Sequence, residues 1–232
     1  MISVKELKES FFHLLFPHVC AGCGIDVLSS ENTLCLRCIE ALPETNFELY
    51  QHNPVEKKFW GRLSLHSAAA HYYFSRESLM QQLIHLFKYK GNKEVGLQLG
   101  RMMGTSLKQS GRFSADALIP LPLFASREKR RGYNQAMVLC EGIAEQLQIP
   151  ILNDAIMRPL HTETQTHMGR IDRWKNIDGK FILTDPASIA GKHLLLIDDV
   201  ITTGATLESC GAELLKAEAV QLSIACLCYA SR

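Results

Sequence analysis

The stretch Leu194–Thr206, LLLIDDVITTGAT, decides the fold of this 232-residue chain. Four apolar residues precede two adjacent aspartates, and a Thr/Gly-rich turn follows. The apolar run has the length and composition of a buried parallel strand ending at Ile197. Ala205–Glu218 beyond the turn is rich in helix formers, so the turn joins a strand's carboxyl end to a helix's amino end. Anions bind at such junctions, because free N–H groups and the positive end of the helix dipole face the ligand. Thr202, Thr203, Gly204, Ala205 and Thr206 form the phosphate-holding set: the threonines add hydroxyl donors, and Gly204 lets the backbone approach. Asp198 and Asp199 would repel a phosphate but suit groups that donate hydrogen bonds, such as two ribose hydroxyls. The order strand, acid pair, phosphate loop, helix reads as a 5-phosphoribosyl site. The competing reading is an ordinary strand–turn–helix corner with acidic surface residues. No Lys-Ser/Thr pair follows the glycine, so the loop is not that of a P-loop NTPase.

The same stretch resembles the phosphoribosyl-pyrophosphate (PRPP) motif of type I phosphoribosyltransferases along its whole length. The chain's length suits one α/β domain plus a small appendage. Apolar content of 47% and charged content of 21% are those of a soluble globular protein. A net charge of +1 makes the whole molecule no magnet for polyanions, so any nucleic-acid binding must come from a local patch. No apolar run is long enough to span a bilayer, so no membrane insertion is expected. The amino-terminal MISVKELKESFFHLLF lacks the organisation of a signal peptide. The expected compartment is the cytoplasm, where eight cysteines should be thiols or metal ligands.

Cys20-x-x-Cys23 and Cys35-x-x-Cys38 are two pairs separated by eleven residues. Two such pairs complete a tetrahedron of sulfurs, the ligand pattern of a structural zinc site with no position left for substrate. Disulfides, an iron–sulfur cluster or free thiols are the alternatives. Cys140, Cys210, Cys226 and Cys228 fall in helical or strand patterns and read as core.

Val4–Phe16 reads as a short amphipathic helix, and residues 1–45 as that helix plus the knuckle. Residues 46–232 form the second expected domain. Across the boundary, 44–63 looks like a linker; beyond it, 65–74 reads as a strand, 77–87 and 93–108 as helices, and 117–120 as a short buried strand. A basic loop, a helix over 134–148 capped by Asn134, a strand within 151–158, a polar segment over 162–176 and strands over 193–197 and 222–229 complete the layout. Strands alternating with helices imply an α/β fold with a parallel-rich sheet and helices on both faces.

The basic loop, Arg127-Glu128-Lys129-Arg130-Arg131, carries a local charge of +3. A pyrophosphate leaving an anomeric carbon needs such a patch, because negative charge grows on it. A solvated turn, or a patch for nucleic-acid phosphates, would have the same composition.

Taken in order, the four-cysteine knuckle, Lys88-Tyr89-Lys90-Gly91, Pro120-x-Pro122 through Arg131-Gly132-Tyr133-Asn134-Gln135, and the PRPP motif resemble the ComF family of competence-associated proteins. Arg158, Thr164, Gln165, Arg173, Asn176 and Phe181 look like that family's segment ahead of the PRPP strand. The resemblance implies a type I phosphoribosyltransferase fold behind a zinc finger and a link to DNA uptake. It leaves open whether a reaction is catalysed. As an enzyme, the chain would bind PRPP with Mg²⁺. Asp198 and Asp199 would hold the ribose, and Arg127, Lys129, Arg130 and Arg131 would face the leaving pyrophosphate, with Arg130 and Arg131 catalytic beside the acid pair. Lys88, Gln165 and Arg173 would serve a lid or an acceptor. No general base or acceptor is legible; His161 and His167 are weak candidates. The alternative is a non-catalytic DNA-uptake accessory protein that binds single-stranded DNA or a nucleotide, and a partner protein.

Overall fold

The structure, a computed structural model, describes residues 19–25, 32–159 and 181–230. The expected helix over Val4–Phe16 and the segment holding Thr164, Gln165, Arg173 and Asn176 lie outside them. Four strands, β1 (Ser67–Tyr73), β2 (Ala117–Pro120), β5 (His193–Ile201) and β6 (Gln221–Tyr229), form one sheet in the order β1-β6-β5-β2. All three pairings are parallel, as near-continuous apolar runs such as Leu194–Ile197 require, and those four residues are fully buried.

The helices are α1 (Leu36–Glu40), α2 (Pro54–Phe59), α3 (Leu79–Tyr89), α4 (Lys93–Ser110), α5 (Ala125–Arg131), α6 (Gln135–Leu147), α7 (Pro186–Ile189) and α8 (Ala205–Leu214). They cover the sheet: α6 packs on β2, β5 and α4, α2 packs on β1, and α8 packs on β5. Asn134 caps α6 as its sequence position suggests, accepting from Ala136 N at 3.0 Å. Cys140, Cys210, Cys226 and Cys228 are all buried core, as expected.

Three local expectations are corrected, and the strand expected within 151–158 is found and narrowed. The supposed linker 44–63 is packed structure. Asn53, fully buried, caps α2 through Val55 N (2.9 Å) and Glu56 N (3.1 Å) and donates to Ala68 O on β1 at 2.8 Å. Those bonds and the buried Val55 and Phe59 tie the segment to the sheet, despite its polar composition. The basic loop is instead helix α5, exposed along most of its length. Lys129, Arg130 and Arg131 occupy its last turn, where cations offset the negative end of the helix dipole. Of 151–158, only Ile156–Met157 (β3) is a strand, antiparallel to Ile182–Leu183 (β4), with Ile151 bridging Leu118. Finally, β5 runs past Ile197 to Ile201, which places the acid pair inside the strand, and α8 stops at Leu214.

Candidate functional site

Parallel pairing of β2 with β5 aligns Pro120 with Ile197, and Leu121 N donates to Ile197 O at 2.9 Å. The chain therefore leaves both strands at one rim, the carboxyl end of the sheet, where open α/β folds bind ligands. Strand alternation then separates the two aspartates, because neighbouring side chains point to opposite faces. Asp199 meets Lys88 at the end of α3, with Nζ 2.7 Å from Oδ2 and both side chains largely enclosed. Asp198 lies toward α8, where its charge adds to burial in raising the Cys210 thiol and the Arg158 guanidinium opposes it.

The two acids are unequal. Burial, then the neighbouring Asp199 charge, pushes Asp198 up to about 7 against the opposing pull of Lys88 and Arg131. Its Oδ1 accepts the Asp199 N–H at 2.8 Å. Arg131 is thus close enough for its charge to be felt at Asp198. Its guanidinium stacks over Tyr89 (5.7 Å) and donates to Gln135 Oε1 (2.5 Å). Arg127, Lys129 and Arg130 are exposed on α5, so the structure brings one of the four basic residues to the acid pair and leaves three facing solvent.

The loop after β5 exposes Thr202, Thr203 and Thr206 and buries Gly204. Gly204 has a φ of +82°, and a Cβ there would lie 3.1 Å from the Phe59 ring. Glycine is therefore dictated by backbone conformation and by Phe59 behind the loop, as well as by any ligand in front of it. No side chain caps α8 from Gly204; the Thr203 hydroxyl makes one long contact with Ala205 N (3.4 Å). First-turn N–H groups without caps are the usual anion-binding feature of such junctions.

At the other end of α3, Cys20, Cys23, Cys35 and Cys38 place their four Sγ atoms within 4.8 Å of one another. A tetrahedral zinc–thiolate site has sulfurs about 3.8 Å apart, from Zn–S bonds of about 2.3 Å, so the four thiols fit a shared metal ion. Burial raises Cys20, but N–H donors of Cys35, Cys23 and Gly22 more than offset it and bring the thiol down to about 6. The knuckle is seated on the main domain. A Cβ on Gly22 would meet Leu79 of α3 at 2.9 Å, Gln82 donates to Gly22 O (3.1 Å), and Thr33 N donates to Gln98 of α4 (2.9 Å).

The phosphoribosyl transferase domain family matches residues 134–232, which hold β5, the acid pair, the loop and α8. Over 215 residues the chain is 29% identical to the DNA utilization protein YhgH of Shigella flexneri, covering 90% of this chain and 89% of that one. Competence protein F of Haemophilus influenzae is 35% identical over 130 residues, covering 54% of this chain and 57% of that one. Competence protein ComFC of Bacillus subtilis is 27% identical over 134 residues, covering 58% and 52%.

The chain is thus similar to competence and DNA utilization proteins over much of its length.

Near the same rim, Arg62 is singled out by no sequence pattern, whereas Tyr89 lies in the Lys88-Tyr89-Lys90-Gly91 motif. Arg62 pairs with Glu208 (2.8 Å) and donates to Thr203 O (3.4 Å), tying the 202–206 loop to the segment after α2. Tyr89, 60% exposed, carries the Arg131 guanidinium. Lys88, expected at a lid or an acceptor, is paired with Asp199. Arg158 and Phe181, expected ahead of the β5 strand, lie together, with the Arg158 guanidinium 5.1 Å from the Phe181 ring centroid and 3.5 Å from that of Phe124. Among the described residues, no helix is long and apolar enough to cross a membrane.

Proposed function

We propose that this chain binds PRPP, or another 5-phosphoribosyl ligand, and transfers the phosphoribosyl group to an acceptor. The 5-phosphate would rest on the 202–206 loop and the first turn of α8, the ribose hydroxyls on Asp198 and Asp199, and the pyrophosphate near Arg131. One observation carries this reading: the acid pair, with Asp199 held by Lys88 and Asp198 within reach of the Arg131 charge, leads directly into the uncapped start of α8 at the carboxyl rim of the sheet. Breaking the bond from the anomeric carbon to pyrophosphate leaves its electron pair on pyrophosphate. Fixed cations at that spot stabilise the separating charges as the acceptor's nucleophile attacks. Mg²⁺ would arrive on the phosphates and needs one or two carboxylates; Asp198 suits it, since Asp199 already holds Lys88. Zinc held by the four cysteines would be structural, because all four positions are thiolates and the knuckle packs on α3 and α4. The names of the relatives suggest that the activity serves DNA uptake or utilization.

A second reading has a specific support. Arg127, Lys129 and Arg130 are exposed on α5, which suits the backbone of single-stranded DNA bound by a non-catalytic accessory protein with a partner. Calorimetry decides between the two. Ribose 5-phosphate and PRPP with Mg²⁺ should bind the wild type and fail to bind Gly204→Val, whose side chain would meet Phe59 and a disfavoured φ. Absence of binding at millimolar ligand in the wild type, alongside retained single-stranded DNA binding, would establish the accessory role.

A further inference from the structure

A cleft of about 280 Å³ lies between the end of α2 and the entry to β1, lined by Gln51, His52, Trp60, Leu63 and His66 among others. It is outside the acid pair and the phosphate loop, and its lining has a distinct character. Trp60 is 58% exposed, a large flat apolar surface that meets the His52 ring edge-on (5.6 Å, 78°) and has the Lys57 ammonium 5.9 Å from its centroid. Glu56 and Arg112 belong to the lining but neutralise each other at 2.6 Å, and Arg112 also donates to Tyr50 O at 2.6 Å. Polar capacity therefore falls to neutral or weakly basic groups: the Gln51 amide and the imidazoles of His52 and His66. His66 is engaged at Nδ1 by the Ser67 hydroxyl (3.2 Å).

The geometry points to a second ligand site here, one that takes a nucleobase. A flat π face beside side chains that both donate and accept suits a planar, uncharged ring with a hydrogen-bonding edge. The volume falls just below the ~300 Å³ at which pockets begin to hold drug-sized ligands, so a base or a nucleoside fits and a larger cofactor does not. The cleft also backs the phosphate loop. Phe59 belongs to its lining, and that ring lies 3.1 Å from where a Cβ on Gly204 would be. Two residues past Trp60, Arg62 holds Thr203 O and Glu208. A base stacked on Trp60 presses on the same short segment that positions 203–204, so its binding and that of a phosphorylated ribose are coupled, each altering the other by the same factor. This coupling rests on the phosphoribosyl reading of the loop; the base site itself does not.

The test is ¹⁵N NMR on the full-length protein, whose two tryptophans, Trp60 and Trp174, give two indole signals assigned with Trp60→Phe. Adenosine should shift the Trp60 indole, and ribose alone should not. Trp60→Ala, at an exposed position, should keep the fold and lose adenosine affinity at least tenfold, while Trp60→Phe retains part of it. An oligodeoxyadenylate and its abasic counterpart distinguish a free nucleoside from a base on a strand: tighter binding of the base-bearing strand than of adenosine assigns the site to strand ends. No adenosine shift at Trp60, or equal adenosine affinity in Trp60→Ala, would overturn the proposal; equal binding of both oligomers beside an intact adenosine shift assigns the site to a free nucleoside. Ribose 5-phosphate is read separately at the Gly204 and Thr206 amides. Its failure to bind, with the Trp60 shift intact, removes the phosphoribosyl reading and leaves the base site standing.

Discussion

Asp198→Asn should make the ligand-free protein more stable at pH 8 while weakening the site. Asp198 is pushed up to about 7 by burial and by the Asp199 charge. A carboxyl group that is harder to ionise folded than unfolded carries no penalty when both states are protonated. It then costs stability progressively as pH rises from the ordinary carboxylate range to about 7, beyond which the cost is constant. At roughly 1.4 kcal/mol per pH unit, the ceiling on that cost is roughly 4 kcal/mol. Relaxation around a half-buried group lowers this, so about 2 kcal/mol is the expected gain. Asparagine keeps the local geometry, because its Oδ1 still accepts the Asp199 N–H now bonded at 2.8 Å. For a chain of this size, 1 kcal/mol moves the melting temperature by about 2–4 °C, so roughly 4–8 °C is expected. The assay is calorimetric melting of wild type and variant from pH 5 to 8.5, read as a difference so that changes at the shared knuckle cancel. The difference should grow with pH and level off above pH 7. Ribose 5-phosphate affinity should fall roughly 10–100-fold, the worth of one charged hydrogen bond. A pH-independent difference, or a variant less stable than wild type at pH 8, would refute the reasoning.

Lys88→Met strands the Asp199 carboxylate, 12% exposed, next to Asp198. Breaking an enclosed pair typically costs ~3–5 kcal/mol; with this pair near a rim, about 2–3 kcal/mol is expected at pH 8, shrinking toward pH 5 as a carboxyl takes up a proton. Equal losses at both pH values in denaturant melts would contradict that account. Charge reversal at Arg131 should lower PRPP affinity more than ribose 5-phosphate affinity, whereas reversal at the exposed Arg130 should change their ratio little; titration calorimetry of both variants measures this, and identical ratios would show that α5 acts as one patch. Cys35→Ser should reduce bound zinc from one per chain and lower solubility, because a structural metal contributes folding free energy directly; an unchanged zinc content in elemental analysis would rule out this ligand set.

The residues that name the fold are contiguous in the chain. Leu194–Thr206 encodes a buried strand, an acid pair and an uncapped helix start, and each of these follows from local composition. The two cysteine pairs are equally local, since four thiols at that spacing have few other uses. What the sequence by itself could not decide was how separate segments meet. The pairing of Asp199 with Lys88 depends on where α3 ends relative to β5, across more than a hundred residues. The inequality of the aspartates depends on strand alternation, and so on β5 continuing to Ile201 instead of stopping at Ile197. The packed segment around Asn53 looked like a linker because its stabilising bonds reach the β1 backbone, which no composition reveals. The four cations of 127–131 read as one patch along the chain, yet a helical turn leaves Arg131 felt at the acid pair and the others in solvent. Chemistry that lies within a dozen neighbours is legible in sequence; burial, charge partners and the facing of side chains belong to the packing, and only tertiary structure sets them.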